Sequence, residues 1–424
     1  MVMISARRTW ITAALLGCLL SAPLGDGPRA QSAYEMPPVL KASELAPAGL
    51  LSGPGYTVAP AVPTTGLIGI FTLNADVGEF NAGGVDLLRI RVGELAAIRQ
   101  LDDTSKTEEF AKAMGRAAVR PVEATWNMVA HPVDTISGMP ASVGRFFDRV
   151  ALGGEAIVAA ADAPDKSAGD KTADVAGRVG TVTINALGYE EERRHLAKKV
   201  NADPYTTNPI LSKKLTDVAW VTFSAREAVN ITTAVLMPYS MVMSTVSLTN
   251  NMVWDMKPAD LLALNEKKVK EMGASDDAAS ALIRNKSYSI TMLTKLVSGL
   301  ERLGPVSGRA EVIVLAGTAA NEDQARFLMG SVQMLAHHHE WVGPLSAVMA
   351  RGTIVGKTQA GGLVVAAPVD YVSWTERVAT FARRPDFSAS SLDLWLSGRI
   401  SPRAKQEFER IGWRVHEATT VASD

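Results

Sequence analysis

Three consecutive histidines followed by an acid, His337, His338, His339 and Glu340, form the most conspicuous polar cluster in the chain. Imidazole nitrogens and carboxylate oxygens are ordinary ligands of zinc, and imidazole also suits copper. Successive helical side chains point about 100° apart, so one helix cannot aim three adjacent rings at one ion. His337, His339 and Glu340 remain the candidate ligands, for zinc or copper, with further ligands from elsewhere. If Leu328, Val332 and Leu335 mark a buried stripe, His339 falls on it and His337 lies opposite. The HExxH spacing of metalloproteases is absent. Apart from that metal, the residues ask for no cofactor.

Other reactive types are scattered. Met237, Met241, Met243, Met252 and Met256 offer soft thioethers that suit Cu(I), the first four within an uncharged stretch, 228–254, that reads as core. The same stretch admits a membrane-active protein, although Asn230, Pro238, Asn250 and Asn251 would be costly inside a bilayer. The sequence GTIVGKT at 352–358 is one residue short of a phosphate loop and leads into a strand. Ser142 sits in half of a nucleophile elbow, and His131, His195 or His416 could serve as its base, but no spacing selects one. The pairs Asp102, Asp103 and Asp276, Asp277 precede helical segments, where capping explains them. Glu376, beside Trp374, lacks the second placed carboxylate that a glycosidase needs.

The elements that would position these groups predict an α+β fold, with N-terminal strands and a helical region, a mostly helical middle and a compact C-terminal α+β unit. Residues 66–73 and 78–80 read as short strands. A helix follows in which Leu88, Val92, Leu95 and Ile98 share a face. Another helix spans 107–118, and Pro121, Pro132 and Pro140 break what comes next. Asn208 and Pro209 form a cap with proline at the first helical position. The apolar run EVIVLA at 311–316 reads as a buried strand. Asn321 and Gln324 cap a helix that reaches about Trp341. Strands at 353–357 and 363–367 join through Gly361 and Gly362. Ser401 and Pro402 start a helix whose Ala404, Phe408 and Ile411 align, and Gly412 ends it before a last strand at 413–416. The resulting division is a signal at 1–30, a Pro/Ala/Gly-rich linker at 31–65, strands plus helices at 66–161, a flexible linker at 162–178, a helical region at 179–305 and an α+β domain at 306–424.

Composition narrows the function classes. Of 424 residues, 47% are hydrophobic and 21% charged, which is ordinary globular usage. Forty-three basic against 44 acidic residues leave no field to attract nucleic acid. The single cysteine, Cys18, lies among the first 30 residues, so a chain cleaved after Ala30 has no thiol chemistry.

Those first residues read as an export signal. Arg7 and Arg8 precede an apolar run at 10–20, too short for a bilayer core of roughly 20 residues and suited to a signal h-region. Cleavage after Ala30 fits the small residue there. Leu15, Leu16, Gly17 and Cys18 also have the form of a lipobox, which would make Cys18 a lipid anchor and tether the protein to a membrane. The arginine pair leaves twin-arginine export open as well.

HPVDTISGMPASVGRFF, DPYTTNPILSKKL and LWLSGRISPRAKQEFERIGW resemble stretches of bacterial exported proteins to which no activity is assigned. The resemblance implies neither substrate nor residue roles. The expectation is an exported, periplasmic or extracellular cell-envelope protein, non-enzymatic, whose partner is an envelope protein or another envelope component. An envelope hydrolase using carboxylates or a histidine-held metal is the rival.

Overall fold

The alternation of short apolar strands with amphipathic helices places hydrophobic faces that need two separate cores. A computed structural model describes residues 33–116, 184–225 and 247–419. The fold is α+β, 52% helical and 19% strand.

The first core starts earlier than its composition suggests. Within 31–65, expected to be a linker, lie β1 (Val39–Lys41), the one-turn helices α1 (Ala42–Leu45) and α2 (Ala48–Leu51), then β2 (Ser52–Gly53), β3 (Tyr56–Val58) and β4 (Ala61–Pro63). Ala42, Leu50, Val58 and Val62 are buried, so these few apolar residues are enough to dock the segment. β5 (Ile70–Ala75) and β6 (Gly78–Gly83) form a hairpin, and an antiparallel sheet runs β2-β3-β5-β6. Phe71, Leu73 and Phe80 point from it onto the long helix α3 (Val85–Ser105). The α3 stripe Leu88, Val92, Leu95 and Ile98 is buried, as its spacing predicts. α4 (Glu108–Arg116), α5 (Ile184–Lys199) and α6 (Pro209–Ala225) complete this core with Phe110, Leu196, Leu211 and Leu215. Asn208 caps α6: its side-chain oxygen accepts from the N–H of Ile210 at 3.0 Å.

The second core is built on α7 (Ser247–Asp255), α8 (Pro258–Glu271), α9 (Asp276–Ile283), α10 (Ile290–Arg302), α11 (Arg309–Gly317) and α12 (Glu322–Trp341). These lead into β7 (Leu345–Ala350), β8 (Ile354–Thr358) and β9 (Leu363–Ala367). The chain continues through β10 (Tyr371–Val372), α13 (Glu376–Ala382), β11 (Leu392–Leu396), β12 (Arg399–Ile400), α14 (Pro402–Arg410) and β13 (Trp413–His416). The main sheet has the order β13-β11-β9-β8-β7. β9, β11 and β13 run parallel, whereas β8 is antiparallel to both of its neighbours. Trp413 is buried against Phe408, Phe381 and Phe387. The α12 cap matches expectation: Asn321 accepts from the N–H of Gln324 at 3.0 Å, and the Gln324 side chain accepts from the N–H of Ala320 at 2.9 Å.

Two local expectations are corrected. The run EVIVLA lies in helix α11, not in a strand. Val312, Ile313, Leu315 and Ala316 are buried while Val314 is 52% exposed, a spacing that follows the helical period. Gly308 starts this helix at φ 85°, where a Cβ would lie 1.8 Å from the Val348 carbonyl oxygen. Asp102 and Asp103 do not cap the helix that follows them, where the Thr107 hydroxyl accepts from the N–H of Phe110, but lie in the last turn of α3. Their unfavourable position against the helix dipole is offset by cations, Lys106 at 2.6 Å from Asp102, with Lys214 on its other oxygen.

Candidate functional site

The parallel register of β11 and β13 sets Asp393 beside Arg414 and Trp395 beside His416. Side chains alternate along strands, so Asp393, Trp395, Arg414 and His416 share one face of the sheet edge. The last turns of α12 lie against that face. His338 meets Trp395 edge-on with ring centres 5.0 Å apart, and His416 lies over Trp395 at 5.0 Å with the rings tilted by 32°. Three aromatic rings from α12, β11 and β13 thus form one stack.

Asp393 organises the charged side of this cluster. One oxygen lies 2.9 Å from His416 Nε2 and the other accepts from the Arg414 guanidinium at 2.5 Å. Burial alone would raise this carboxyl, but the hydrogen bonds from Arg414 and His416 outweigh burial and hold it below its ordinary value. Burial pushes the His338 imidazole down, which keeps it neutral. An Asp–His pair can orient a general base. The hydroxyl beside it, Ser391, bonds Asp393 at 3.4 Å and not the imidazole, so the order nucleophile, base, acid is not assembled.

The structure separates the residues of the expected metal site. His337 faces Trp341, ring centres 6.5 Å apart. Nδ1 of His339 accepts the N–H of Leu345 at 3.0 Å and so ties the helix end to β7. Glu340 takes a two-pronged bond from Arg302, at 2.9 and 2.5 Å, and these bonds hold its carboxyl low. Among the described residues no three His, Cys, Asp or Glu side chains gather as a metal would require. The buried histidine is His338, 6% exposed, rather than His339, because the last step of the buried stripe from Leu335 is three residues and not four.

The other candidates are dispersed. His195 and Glu376 are exposed, and Glu376 sits in the first turn of α13, capped by Thr375. Asp276 follows the Ser275 cap of α9 and pairs with Lys270 at 2.8 Å. Cys18, His131, Ser142, Met237, Met241, Met243 and the 162–178 linker lie outside the described residues. Of the 228–254 stretch, 247–254 is described, in α7, where Trp254 donates to the Ala202 carbonyl at 2.8 Å. No described helix is long and apolar enough to cross a membrane.

A second polar cluster, not anticipated from the residues alone, lies where the two cores meet. Glu94 on α3 accepts from Arg91 at 2.9 Å, from Asn208 at 2.8 Å and from the Thr206 hydroxyl. Thr207 donates to Glu322 of α12 at 2.8 Å, and Arg326 pairs with the same acid at 2.5 Å. Asp203 accepts from the Thr291 hydroxyl of α10 at 2.7 Å. The 203–208 turn, part of DPYTTNPILSKKL, therefore binds both cores through charge-assisted hydrogen bonds. Its acids are engaged from within, which makes the seam a structural joint.

The chain matches no protein-family model, no curated protein and no solved structure.

Proposed function

We propose that this protein is exported and works in the cell envelope as a contact-making, non-catalytic protein. The observation that carries the reading is the contrast at the end of α12. Glu340, His339 and Asp393 are each engaged by a partner within the chain, while Trp341 and Val342 beside them are 66% and 53% exposed. An exposed tryptophan is among the side chains that protein interfaces favour.

Export is supported by the basic and apolar pattern of residues 1–30 and by the anchoring of the chain soon after it. Glu35 donates its N–H to the Trp374 carbonyl at 2.8 Å, and its carboxylate accepts from the Ser401 hydroxyl at 2.6 Å. Cleavage after Ala30 would leave both anchors in place.

Metal analysis of the purified mature protein tests the non-catalytic half of the proposal. The expected result is substoichiometric zinc and copper, unchanged in the double variant His337→Ala, His339→Ala. Stoichiometric metal that the double variant loses would overturn the proposal in favour of an envelope hydrolase.

A further inference from the structure

The sequence of α6, PILSKKLTDVAWVTFSA, carries more apolar residues than one buried face uses. Leu211, Leu215, Val218 and Ala219 are buried in the first core. Ile210 and Trp220 stand beside that face and stay half-buried, the Trp220 ring braced edge-on by Tyr189 with ring centres 5.8 Å apart. On α4, Phe110 is buried while Met114 is 55% exposed. Together with Leu101 of α3 these side chains line a groove of about 640 Å³. That size, with a mainly apolar wall and a few polar groups, suits a small ligand.

Charge and length narrow the choice of ligand. The charged residues that line the groove are Lys213, Lys214 and Asp217, one more cation than acid. Lys214 already meets Asp102. Lys213, its side chain 77% exposed, pairs with Asp217 at 2.6 Å across one turn of α6. An exposed pair of this kind is weak, so the ammonium can turn to another anion at little cost. A lysine stem can lie along an apolar wall while its charge stays in water. From Lys213 to Val221, both on the groove, α6 rises about 12 Å. An extended alkyl chain of about ten carbons has that length.

We propose that the groove binds a medium-chain fatty acid, whose alkyl chain lies along α6 between Met114 and Trp220 while its carboxylate meets the Lys213 ammonium. Such an acid carries the single negative charge and the unbranched apolar length that the lining complements. The site goes beyond the contact function proposed above and lies in the first core, apart from the Trp395 stack.

The test is isothermal titration calorimetry of the purified protein at pH 7 with hexanoate, octanoate, decanoate and dodecanoate, each below its micellar concentration. Affinity should rise about fourfold for each two added carbons as far as decanoate, because a groove open on one side takes about half of each methylene out of water. It should level off at dodecanoate. Lys213→Glu should weaken decanoate about fivefold and leave the neutral analogue decanol unchanged. Met114→Glu, at an exposed position, should weaken both about tenfold by setting a carboxylate against the alkyl chain. No binding to the folded wild type, as a groove filled by another segment of this chain or by a second copy would give, overturns the proposal. Decanoate binding that either variant leaves unchanged overturns it as well.

Discussion

The carboxylate of Asp370 accepts the backbone N–H of Val85 at 3.0 Å, joining the segment after β9 to the first residue of α3 across 285 positions of sequence. Its other oxygen accepts the N–H of Gly69 at 2.8 Å. The acid therefore serves as an external cap for a 21-residue helix whose own cap position, Gly84, has no side chain to offer.

This cap makes stability pH-dependent. Burial pushes the Asp370 carboxyl up to about 6, against the pull of its two backbone donors, and Asp86 adds to the rise. The folded state then holds a proton that the unfolded state has already released. Stability from this group is full below pH 4, falls as the pH rises to about 6, and is level above, a change on the order of 2–3 kcal/mol. Urea titrations from pH 4 to 7 should show that decline in the wild type. Asp370→Asn should flatten it. A wild-type stability that rises over this interval, and does so equally in the variant, contradicts the assignment.

Burial predicts which ion pairs matter. Glu94 and Arg91 have side chains 7% and 8% exposed, and Glu94→Ala would remove the acceptor that Arg91, Asn208 and Thr206 share, leaving Arg91 only its bond to the Thr207 hydroxyl. The expected cost is about 3–5 kcal/mol. Glu340→Ala, which breaks a pair with side chains 31% and 27% exposed, should cost under about 1 kcal/mol. Chemical denaturation of the two variants checks the order, and equal costs would refute it.

Val314 distinguishes the helix at 309–317 from the strand that its sequence suggests. On α11 it is exposed, so Val314→Glu should change stability by no more than about 0.5 kcal/mol. In a buried strand the same change would place a charge in the core. A thermal midpoint lowered by tens of degrees would restore the strand.

What the residues reveal in advance follows from the range of the interactions involved. Asn208 with Pro209, Asn321 with Gln324, and Ser401 with Pro402 are local signals, and each begins a helix where expected. The EVIVLA run carries no such signal, because an unbroken apolar stretch suits a buried strand and a buried helix alike. The Trp395 stack is illegible for a different reason. His416 attracted notice as a histidine, but its partner Asp393 is fixed by the register of parallel strands joined through β12 and α14, which no local pattern encodes.

Export is the central claim, and the N-terminus of the protein recovered from the envelope fraction of an expressing bacterium tests it most directly. Intact-mass measurement should give a chain that starts at Gln31, or at a lipid-modified Cys18 if the lipobox is used. Recovery only from the cytoplasm, with residues 1–30 still attached, would contradict the account.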